Sequence, residues 1–589
     1  MKKVYNETIN IESVGKTVTL AGWVAKKRDL GGLIFIDLRD RTGIIQIVVN
    51  PENKNYDIAN SLKNEYVIEV TGKVVERSNK NPNLKTGDIE IEVDTLEVLN
   101  TCDELPFPIV DDVNTSEDNR LKYRYLDIRR NKLKENLFLR NEVLHYLRNK
   151  MYDLGFTEVQ TPILTASSPE GARDFVVPSR VYPGKFYALP QAPQIYKELL
   201  MVGGFERYFQ IAPCFRDEDP RADRTLEFYQ LDLEMSFVDE EDVLNVGEEI
   251  FYDTFTKFSN KKVSPRPFRR IAYNDAIDLY GSDKPDIRFE MTINDITNIF
   301  KDTEFTVFKN VLDEKGIINA IVAKNACDKY SRKGLDELTE FVKGKKASGL
   351  AYLKFEDEVS GSIAKVVTEK ELEELKSQLN IEKNDLVLII CGPKKIVKNA
   401  LGQLRLRVGN DLGLIDNDRL ELCIVNDFPM FEWDEQNEKW DFCHNPFSLP
   451  HGGVKAYENL DNIEDILAYQ FDFVCNGNEM ASGAIRNHDL DSLAKGFEIV
   501  GYPREEVEKR FRSIFTSFRY GCPPHGGMAP GLDRILMLIK DEPNLREVQA
   551  FPPSASAQDL MMGSPSELMP IQLEELGITI NKKEDKSGE

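Results

Sequence analysis

The sequence contains no long apolar run and few cysteines. No stretch approaches 18 consecutive apolar residues, so no membrane span is expected. The eight cysteines are scattered over 589 residues without a CxxC pair, which argues against a structural zinc site. The segment from Met1 to Glu7 lacks the apolar region of a signal peptide. These absences predict a cytoplasmic protein that is not attached to a membrane.

Positive charge is outnumbered by negative charge. The chain has 76 Lys and Arg against 100 Asp and Glu, and this net charge of −24 by itself argues against a nucleic-acid partner. The charge is uneven, however. Residues 119–150 hold ten basic and three acidic side chains, and residues 1–105 hold 14 and 17. The first 150 residues could therefore still meet phosphates.

The first hundred residues have the pattern of a small β-barrel. Short alternating or apolar runs rich in β-branched residues are separated by polar or glycine-containing turns. Five strands in about 100 residues favour an OB-fold, with an SH3-like barrel as the alternative. A linker with proline and acidic residues follows, and an apolar stripe then predicts one helix over 121–152. The predicted strands are 16–23, 32–38, 43–49, 66–75 and 89–99.

Two later segments concentrate residues that could bind a ligand. Segment 214–234 predicts a hairpin with a charged loop, in which Arg216 could bind phosphate and Phe228 could stack on a base. Taken alone, it could also be a solvated charged hairpin. Segment 526–538 places a glycine-rich stretch before an apolar helix that carries Arg534 near its start, which suits an anion. Taken alone, it could be a tight turn before a core helix.

Together, these segments resemble motifs 2 and 3 of class II aminoacyl-tRNA synthetases. The helix before Gly155 and the segment 155–162 that follows resemble motif 1. Further segments resemble bacterial-type aspartyl-tRNA synthetases, and the resemblance covers essentially the whole chain. These segments are 121–127, 168–174, 191–197 and 281–286, together with an insertion near 285–410.

The resemblance implies a multidomain α+β protein. An N-terminal OB-fold barrel would bind the anticodon, and an antiparallel sheet with helices would form the catalytic domain. The implied boundaries are 1–105 for the OB-fold, 106–130 for a hinge, 131–285 for the catalytic part with motifs 1 and 2, 286–412 for an inserted α+β domain, 413–556 for the part with motif 3, and 557–589 for a C-terminal extension.

The resemblance also implies residue roles in the aspartate pocket. Lys197 and Arg486 would hold the side-chain carboxylate of aspartate, and Asp232 would receive the α-ammonium group. Two fixed cations reject neutral asparagine, because its amide would leave them unpaired. The full implied set is Glu170, Gln194, Lys197, Arg216, Asp232, His444 and Arg486.

ATP and Mg²⁺ are the implied cosubstrate and metal ion. Arg216 and Arg534 would be catalytic, on the α-phosphate and the terminal phosphate, with Phe228 under adenine. Asp472 and Glu479 would hold Mg²⁺, and their spacing fits two strands joined by a turn at 476–477. The implied ATP set is Arg216, Asp217, Glu218, Thr225, Phe228, Glu479, Gly531, Leu532, Asp533 and Arg534.

An anticodon site also follows from the resemblance. Arg28, Phe35, Gln46 and Glu90 would read the anticodon, although Phe35 could instead be barrel core.

Many family members carry two histidines where this chain has His444 and Asn445. Asn445 can form hydrogen bonds but cannot become cationic.

The predicted activity is therefore an aspartate–tRNA ligase that forms a homodimer. It would activate L-aspartate with ATP and charge tRNA(Asp). The alternative charges tRNA(Asn) as well. Leu30 resembles the enzymes specific for tRNA(Asp), and loop 78–83 cannot be aligned. A paralogue that only binds nucleic acid is disfavoured because the chain retains Arg216, Asp472, Glu479, Arg486 and Arg534.

Overall fold

The computed structural model describes residues 3–167, 171–435, 437–458 and 460–581. The chain divides into two compact units, Met1–Lys134 and Glu135–Glu589. No helix in the described ranges combines the length and the apolar character needed to cross a membrane.

The first unit contains a closed five-stranded barrel, as the OB-fold prediction requires. Side chains alternate along its strands, so that Ile34, Ile36 and Leu38 are fully buried whereas Phe35 is only partly buried. The first strand continues beyond the predicted residue 23, because Lys27 and Arg28 still pair with the second strand. In chain order, the elements are β1 Thr17–Leu30, β2 Leu33–Arg39, β3 Ile44–Val49, β4 Val67–Glu76 and β5 Ile89–Asn100, with α1 Tyr56–Ser61 as a short helix. Around the barrel, the strand order is β1-β2-β3-β5-β4.

The single helix predicted over 121–152 is wrong, because three helices occupy this region: α2 Glu117–Lys122, α3 Arg124–Asp127 and α4 Asn131–Asp153. The buried Asp127 carboxylate binds Arg124 at 2.7 Å and Arg130 at 2.6 Å. Asp111 then accepts a hydrogen bond from the backbone N–H of Lys132, at 2.9 Å, in the first turn of α4. These local ion pairs and the separate start of α4 interrupt the predicted helix. The apolar periodicity of the sequence reveals neither feature.

The second unit is built on an eight-stranded sheet. In chain order, the first part of the second unit comprises β6 Thr157–Glu158, β7 Val176–Pro178, β8 Phe186–Ala188, β9 Arg207–Phe215, β10 Glu227–Ser236, β11 Lys262–Val263 and β12 Arg269–Ala272, with α5 Gln194–Val202, α6 Glu240–Phe258 and α7 Tyr273–Tyr280.

A separate five-stranded sheet follows in the chain. Its strands are β13 Asn294–Asp295, β14 Ile317–Ala323, β15 Ala351–Phe355, β16 Val359–Gly361 and β17 Asp385–Gly392, in the order β13-β14-β17-β15-β16. Side chains of β17 alternate between two apolar cores, so both faces of this sheet are covered. The helices are α8 Thr306–Asp313, α9 Arg332–Lys343, α10 Glu369–Leu379 and α11 Lys394–Asp411.

The chain then returns to the eight-stranded sheet, whose order is β12-β19-β22-β23-β24-β10-β9-β6. The remaining elements are β18 Arg419–Leu420, β19 Leu422–Pro429, β20 Phe431–Asp434, β21 Lys439–Phe442, β22 Leu467–Cys475, β23 Asn478–Ile485 and β24 His525–Pro530, with α12 Leu490–Ile499, α13 Arg504–Arg510, α14 Arg512–Ser517, α15 Leu532–Lys540 and α16 Pro570–Leu576.

The two faces of this sheet differ in character. On β10, Leu231, Leu233 and Met235 join the apolar core with residues of α4, α6 and α15. Because side chains alternate along a strand, Asp232 and Glu234 point to the opposite face. One face therefore holds the core, and the other is available for polar chemistry.

The glycine-rich stretch at 526–527 lies inside β24, so the alternative of a tight turn does not hold. A Cβ atom on Gly527 would lie 2.2 Å from Glu234 Oε2 and 2.2 Å from the carbonyl oxygen of Leu233. Gly527 thus makes room for the buried Glu234 carboxylate. The predicted turn between β22 and β23 is present, since Asn476 and Gly477 have φ values of 51° and 79°.

Replacing Gly527 by alanine should destabilise the second unit, because the added Cβ has no space. Overpacking costs about 1–3 kcal/mol, so we expect the midpoint of thermal unfolding to fall by at least ~2 °C. Gly531→Ala is the matched control, because its Cβ would find no atom closer than 3.8 Å. Equal unfolding midpoints for the two variants would contradict this account.

Candidate active site

A cavity of about 540 Å³ lies on the polar face of the eight-stranded sheet. It brings together most of the predicted site residues, although they come from distant parts of the chain. Those that line it are Gln194, Lys197, Arg216, Glu218, Thr225, Phe228, Asp232, His444, Glu479, Arg486, Gly531, Asp533 and Arg534.

Three described residues of the predicted aspartate, ATP and metal sets do not line this cavity. Asp217 is exposed in the hairpin loop, and the Leu532 side chain packs in the apolar core, so only its backbone could meet a nucleotide. Asp472 is fully buried beside the cavity. Glu170 lies outside the described residues.

A buried network of charged side chains forms the floor of the cavity. Lys197 Nζ lies 2.7 Å from Asp232 Oδ1 and 3.2 Å from Glu234 Oε2. Arg486 donates two hydrogen bonds to the Glu234 carboxylate, at 2.9 and 3.2 Å. All four residues are at most 2% exposed. The two predicted aspartate-binding cations are therefore fixed in place by carboxylates of β10.

The two carboxylates of this network titrate differently. Burial would raise the pKa of Glu234, but Arg486 and Lys197 outweigh burial and hold this pKa below its ordinary value. Burial raises the pKa of Asp232 despite the neighbouring Lys197. Glu234 is thus the firmly ionised partner of both cations. Glu234 is not among the residues to which the sequence assigns a role, although it lies two residues after Asp232 on β10.

A second buried pair supports Gln194. His525 Nε2 lies 3.3 Å from Glu198 Oε2, and the other ring nitrogen lies 2.8 Å from the carbonyl oxygen of Pro523. Glu198 Oε1 accepts a hydrogen bond from Gln194 Nε2 at 2.5 Å. Sequence reasoning missed both Glu198 and His525. The only local signal was the i, i+4 spacing of Gln194 and Glu198 on α5.

His525 is a buried imidazolium. Burial would lower its pKa, but hydrogen bonds with Cys522 and Glu198 and the charges of Glu198 and Glu234 raise it to about 10. The positive charge of His525 balances the negative charge of Glu198, so this buried pair on the α5 side of the pocket carries no net charge.

Arginine and aromatic side chains line the other end of the cavity. The Arg216 guanidinium lies over the Phe228 ring, 5.0 Å from its centroid. Arg534 is the third residue of α15 and donates to the carbonyl oxygen of Glu479 at 2.8 Å. The Thr225 hydroxyl is buried without a hydrogen-bond partner among the described residues. Asp533 binds Arg140 of α4 and thereby joins the elements of motifs 1 and 3.

One group of residues could hold a metal ion. Ligand atoms of His444, Asp472 and Glu479 all lie within 4.8 Å of one another. Neither oxygen of the buried Asp472 has a well-formed hydrogen bond to a described residue. Burial and the neighbouring Glu479 raise the pKa of Asp472 well above its ordinary value. Two close carboxylates, one of them unsatisfied, fit a divalent cation with oxygen ligands.

Positive side chains already surround Glu479. Lys284 Nζ lies 2.8 Å from Glu479 Oε2, and Arg534 lies 3.7 Å from Oε1. Burial would raise the pKa of Glu479, but these two cations lower it to about 2. At the cavity mouth, burial lowers the pKa of His444, which therefore favours the neutral imidazole. Asn445 also lines the cavity and accepts a hydrogen bond from the N–H of Phe447 at 2.9 Å.

The four predicted anticodon residues form one connected patch on the barrel. Gln46 Nε2 donates to Glu90 at 2.6 Å, and Arg28 donates to Gln46 Oε1 at 3.3 Å. Phe35 lies directly opposite Arg28 on the neighbouring strand and is partly exposed, so it is not barrel core. Sequence reasoning missed Arg77, which donates to Gln46 Oε1 at 3.0 Å.

The sheet is antiparallel except where β6 pairs with β9 and β12 pairs with β19, and these two pairs are parallel. A largely antiparallel sheet whose polar face carries paired carboxylates, Arg216, Arg534 and the Phe228 ring fits a class II aminoacyl-tRNA synthetase. Comparison with known families agrees. The model "tRNA synthetases class II (D, K and N)" matches residues 116–555, and "OB-fold nucleic acid binding domain" matches residues 18–99. The chain belongs to the class II tRNA synthetases of the D, K and N group.

Curated relatives extend over nearly the full length. A protein named Aspartate–tRNA(Asp/Asn) ligase from Rickettsia canadensis is 49% identical over 97% of this chain and 96% of the relative. A protein of the same name from Zymomonas mobilis is 50% identical over 97% of this chain and 96% of the relative.

Solved structures of lower identity show the same fold. Asparaginyl-tRNA synthetase from Pyrococcus horikoshii, complexed with asparaginyl-adenylate, is 21% identical with a TM-score of 0.58, over 97% of this chain and 100% of the other. Aspartyl tRNA synthetase from Entamoeba histolytica is 19% identical with a TM-score of 0.56, over 94% and 91%.

The His525 assignment predicts a specific pH dependence of stability. The pKa of His525 in the folded protein lies above its ordinary value of 6.5, so its stabilising contribution is complete below that pH. This contribution is lost as pH rises through about 10. The unfolding midpoint of wild-type protein should therefore fall relative to that of His525→Gln between these pH values. Parallel curves for the two proteins would contradict a charged His525.

Proposed function

We propose that the protein is an aspartate–tRNA ligase. It activates L-aspartate with ATP to form aspartyl-adenylate and pyrophosphate, and then transfers aspartate to the 3′ end of tRNA(Asp). The observation that carries this proposal is the pair of buried cations, Lys197 and Arg486, at the floor of the cavity. The names of the relatives support the same amino acid.

The two cations explain the choice of aspartate over asparagine. Each is held rigidly by Glu234, so neither can turn away to accommodate a neutral amide. An asparagine side chain would present N–H donors to groups that are themselves donors, and it would leave buried charge uncompensated. Sites of this kind reject the wrong substrate by about 10⁴–10⁵-fold. Asp232 and Gln194 complete the aspartate pocket, with Asp232 facing the α-ammonium group.

Adenylate formation needs positioning more than a protein nucleophile. An oxygen of the aspartate α-carboxylate attacks the ATP α-phosphorus in line, and the bond to the pyrophosphate oxygen breaks. Arg216 bridges the two reactants and stabilises the charge that develops on the α-phosphate. Phe228 supports the adenine ring, and Arg534 holds the terminal phosphate. Fixing both reactants in one geometry supplies much of the rate enhancement.

Asp472 and Glu479 are proposed to hold Mg²⁺. The unsatisfied oxygens of Asp472 and their nearness to Glu479 support this assignment. A bound Mg²⁺ would neutralise phosphate charge during adenylate formation. Glu479 is ionised over the whole physiological range, because its pKa is lowered to about 2.

The transfer step requires no dedicated protein base. The 3′-hydroxyl of the terminal adenosine attacks the adenylate carbonyl carbon, and AMP leaves as the carbon–oxygen bond to its phosphate breaks. The hydroxyl proton passes to a tRNA phosphate or to solvent. In the barrel, Phe35 would stack on an anticodon base while Gln46, held by Arg28 and Glu90, reads its edge.

The range of tRNAs is a second question. Leu30 favours tRNA(Asp) alone, whereas the relatives named above carry the wider designation Asp/Asn over nearly the whole chain. The wider range is therefore the second candidate function. Leu30 itself is 62% exposed at the end of β1, where a tRNA base could reach it.

Two accompanying proposals concern assembly and location. The resemblance to motif 1 implies a homodimer, and the exposed apolar side chains of Ile163 and Leu164, just after the motif 1 strand, support it. All eight cysteines are unpaired, which supports a cytoplasmic location.

Charging assays with purified tRNA(Asp) and tRNA(Asn), labelled aspartate, ATP and Mg²⁺ test this function. We expect tRNA(Asp) to be aspartylated. Charging of tRNA(Asn) at a comparable rate would establish the wider range, and its absence would establish specificity for tRNA(Asp). A folded protein that charges neither tRNA would refute the proposal.

A further inference from the structure

Lys284 is a charged residue of the cavity that the proposed reaction does not use. It belongs to segment 281–286, which carries part of the family resemblance but no assigned role. Its ammonium group lies 2.8 Å from Glu479 Oε2, and its side chain is only 30% exposed. This cation therefore occupies one oxygen of a carboxylate that the metal ion is proposed to use.

The backbone around Lys284 is held against the strands that carry the metal ligands. The turn between β22 and β23 packs on this segment, since a Cβ atom on Gly477 would lie 3.5 Å from Asp286 Cβ and 3.8 Å from the carbonyl oxygen of Lys284. Asp286 is buried and binds Arg288 at 2.6 Å. Packing thus fixes the backbone of Lys284 relative to the strands of Glu479, whereas the Lys284 side chain is held, among the described residues, only by its ion pair.

The five-stranded sheet of β13–β17, called the inserted sheet below, is linked to the same segment through α11. Arg405 of α11 is 1% exposed, and its guanidinium donates to the carbonyl oxygens of Asp286, at 2.9 Å, and Phe289, at 2.7 Å. It also donates to the carbonyl oxygen of Met291 at 2.9 Å. A contact chain therefore runs from the inserted sheet through residues 286–291 to Lys284 and the candidate metal site.

The charges at this site favour competition between two kinds of cation. A Mg²⁺ ion on Asp472 and Glu479 would approach their oxygens to about 2.0–2.1 Å. The Lys284 ammonium would then face a double positive charge a few ångströms away. This repulsion opposes metal binding, and it is stronger in a partly buried site than in water. Lys284 must move away from Glu479 for the metal to bind favourably.

We propose that Lys284 is a resident counter-cation that competes with the divalent metal ion for Glu479. It neutralises Glu479 before nucleotide binds, and the phosphates of ATP offer it a new partner when the metal arrives. The free protein therefore binds metal weakly, and metal enters together with nucleotide. This inference rests on the metal site of the proposed function.

Binding of Mn²⁺ to the full-length protein without nucleotide, followed by electron paramagnetic resonance, tests the inference. Lys284→Gln should tighten the Kd for Mn²⁺ by about tenfold, because the competing charge is gone. Lys284→Arg restores the charge and should return the Kd to the wild-type value. Lys343→Gln is the matched control, since Lys343 on α9 makes an exposed 2.8 Å ion pair with Glu340. It should leave the Kd unchanged.

An unchanged or weaker affinity in Lys284→Gln would overturn the inference. Asp472→Asn separates this failure from failure of the metal site, because it should weaken Mn²⁺ binding in both the wild-type and the Lys284→Gln backgrounds. Mn²⁺ binding that is unaffected by Asp472→Asn, or absence of binding in both the wild-type and the Lys284→Gln protein, would overturn both assignments. The tRNA charging assay tests the ligase activity independently.

Discussion

The structure of the site depends on Glu234, an ionised carboxylate with no exposed surface that binds two cations at once. Removing such charges from water is costly, and the cost is offset only when every partner is in place. Arg486 supplies two hydrogen bonds, and Lys197 supplies an ion pair. Gly527 supplies the space, because any side chain there would displace the carboxylate. The recognition cations are therefore positioned before substrate arrives, so little reorganisation is needed on binding.

This arrangement follows from the alternation of side chains along β10. The strand sends leucine and methionine side chains into the core below the sheet and carboxylates into the cavity above it. Glu198 of α5 is also a buried carboxylate with fixed partners. His525 balances its charge, and Glu198 in turn holds Gln194. The core thus stabilises the sheet, and the sheet positions the groups that bind substrate.

The sequence was most informative where local rules apply. Alternation predicted the barrel strands, and the turn at 476–477 predicted the hairpin that carries Asp472 and Glu479. Prediction failed where distant residues decide. Gly527 of β24 makes room for a carboxylate almost 300 residues earlier in the chain. Likewise, no local pattern joins His525 to Glu198. The helix predicted over 121–152 failed for a different reason, because the short-range ion pairs of Asp127 interrupt an apolar periodicity that looks continuous.

The most direct test of the account is ATP–pyrophosphate exchange driven by aspartate or asparagine, in wild-type protein and in Arg486→Lys. Lysine keeps the charge that Glu234 requires, whereas leucine would leave buried charge unpaired and endanger the fold. We expect wild-type kcat/KM to favour aspartate by at least ~10⁴-fold. Arg486→Lys should lower kcat/KM for aspartate by about 10–100-fold and leave KM for ATP unchanged. The exposed Arg504→Lys is the control. Comparable exchange with asparagine, or full activity in Arg486→Lys, would contradict the account.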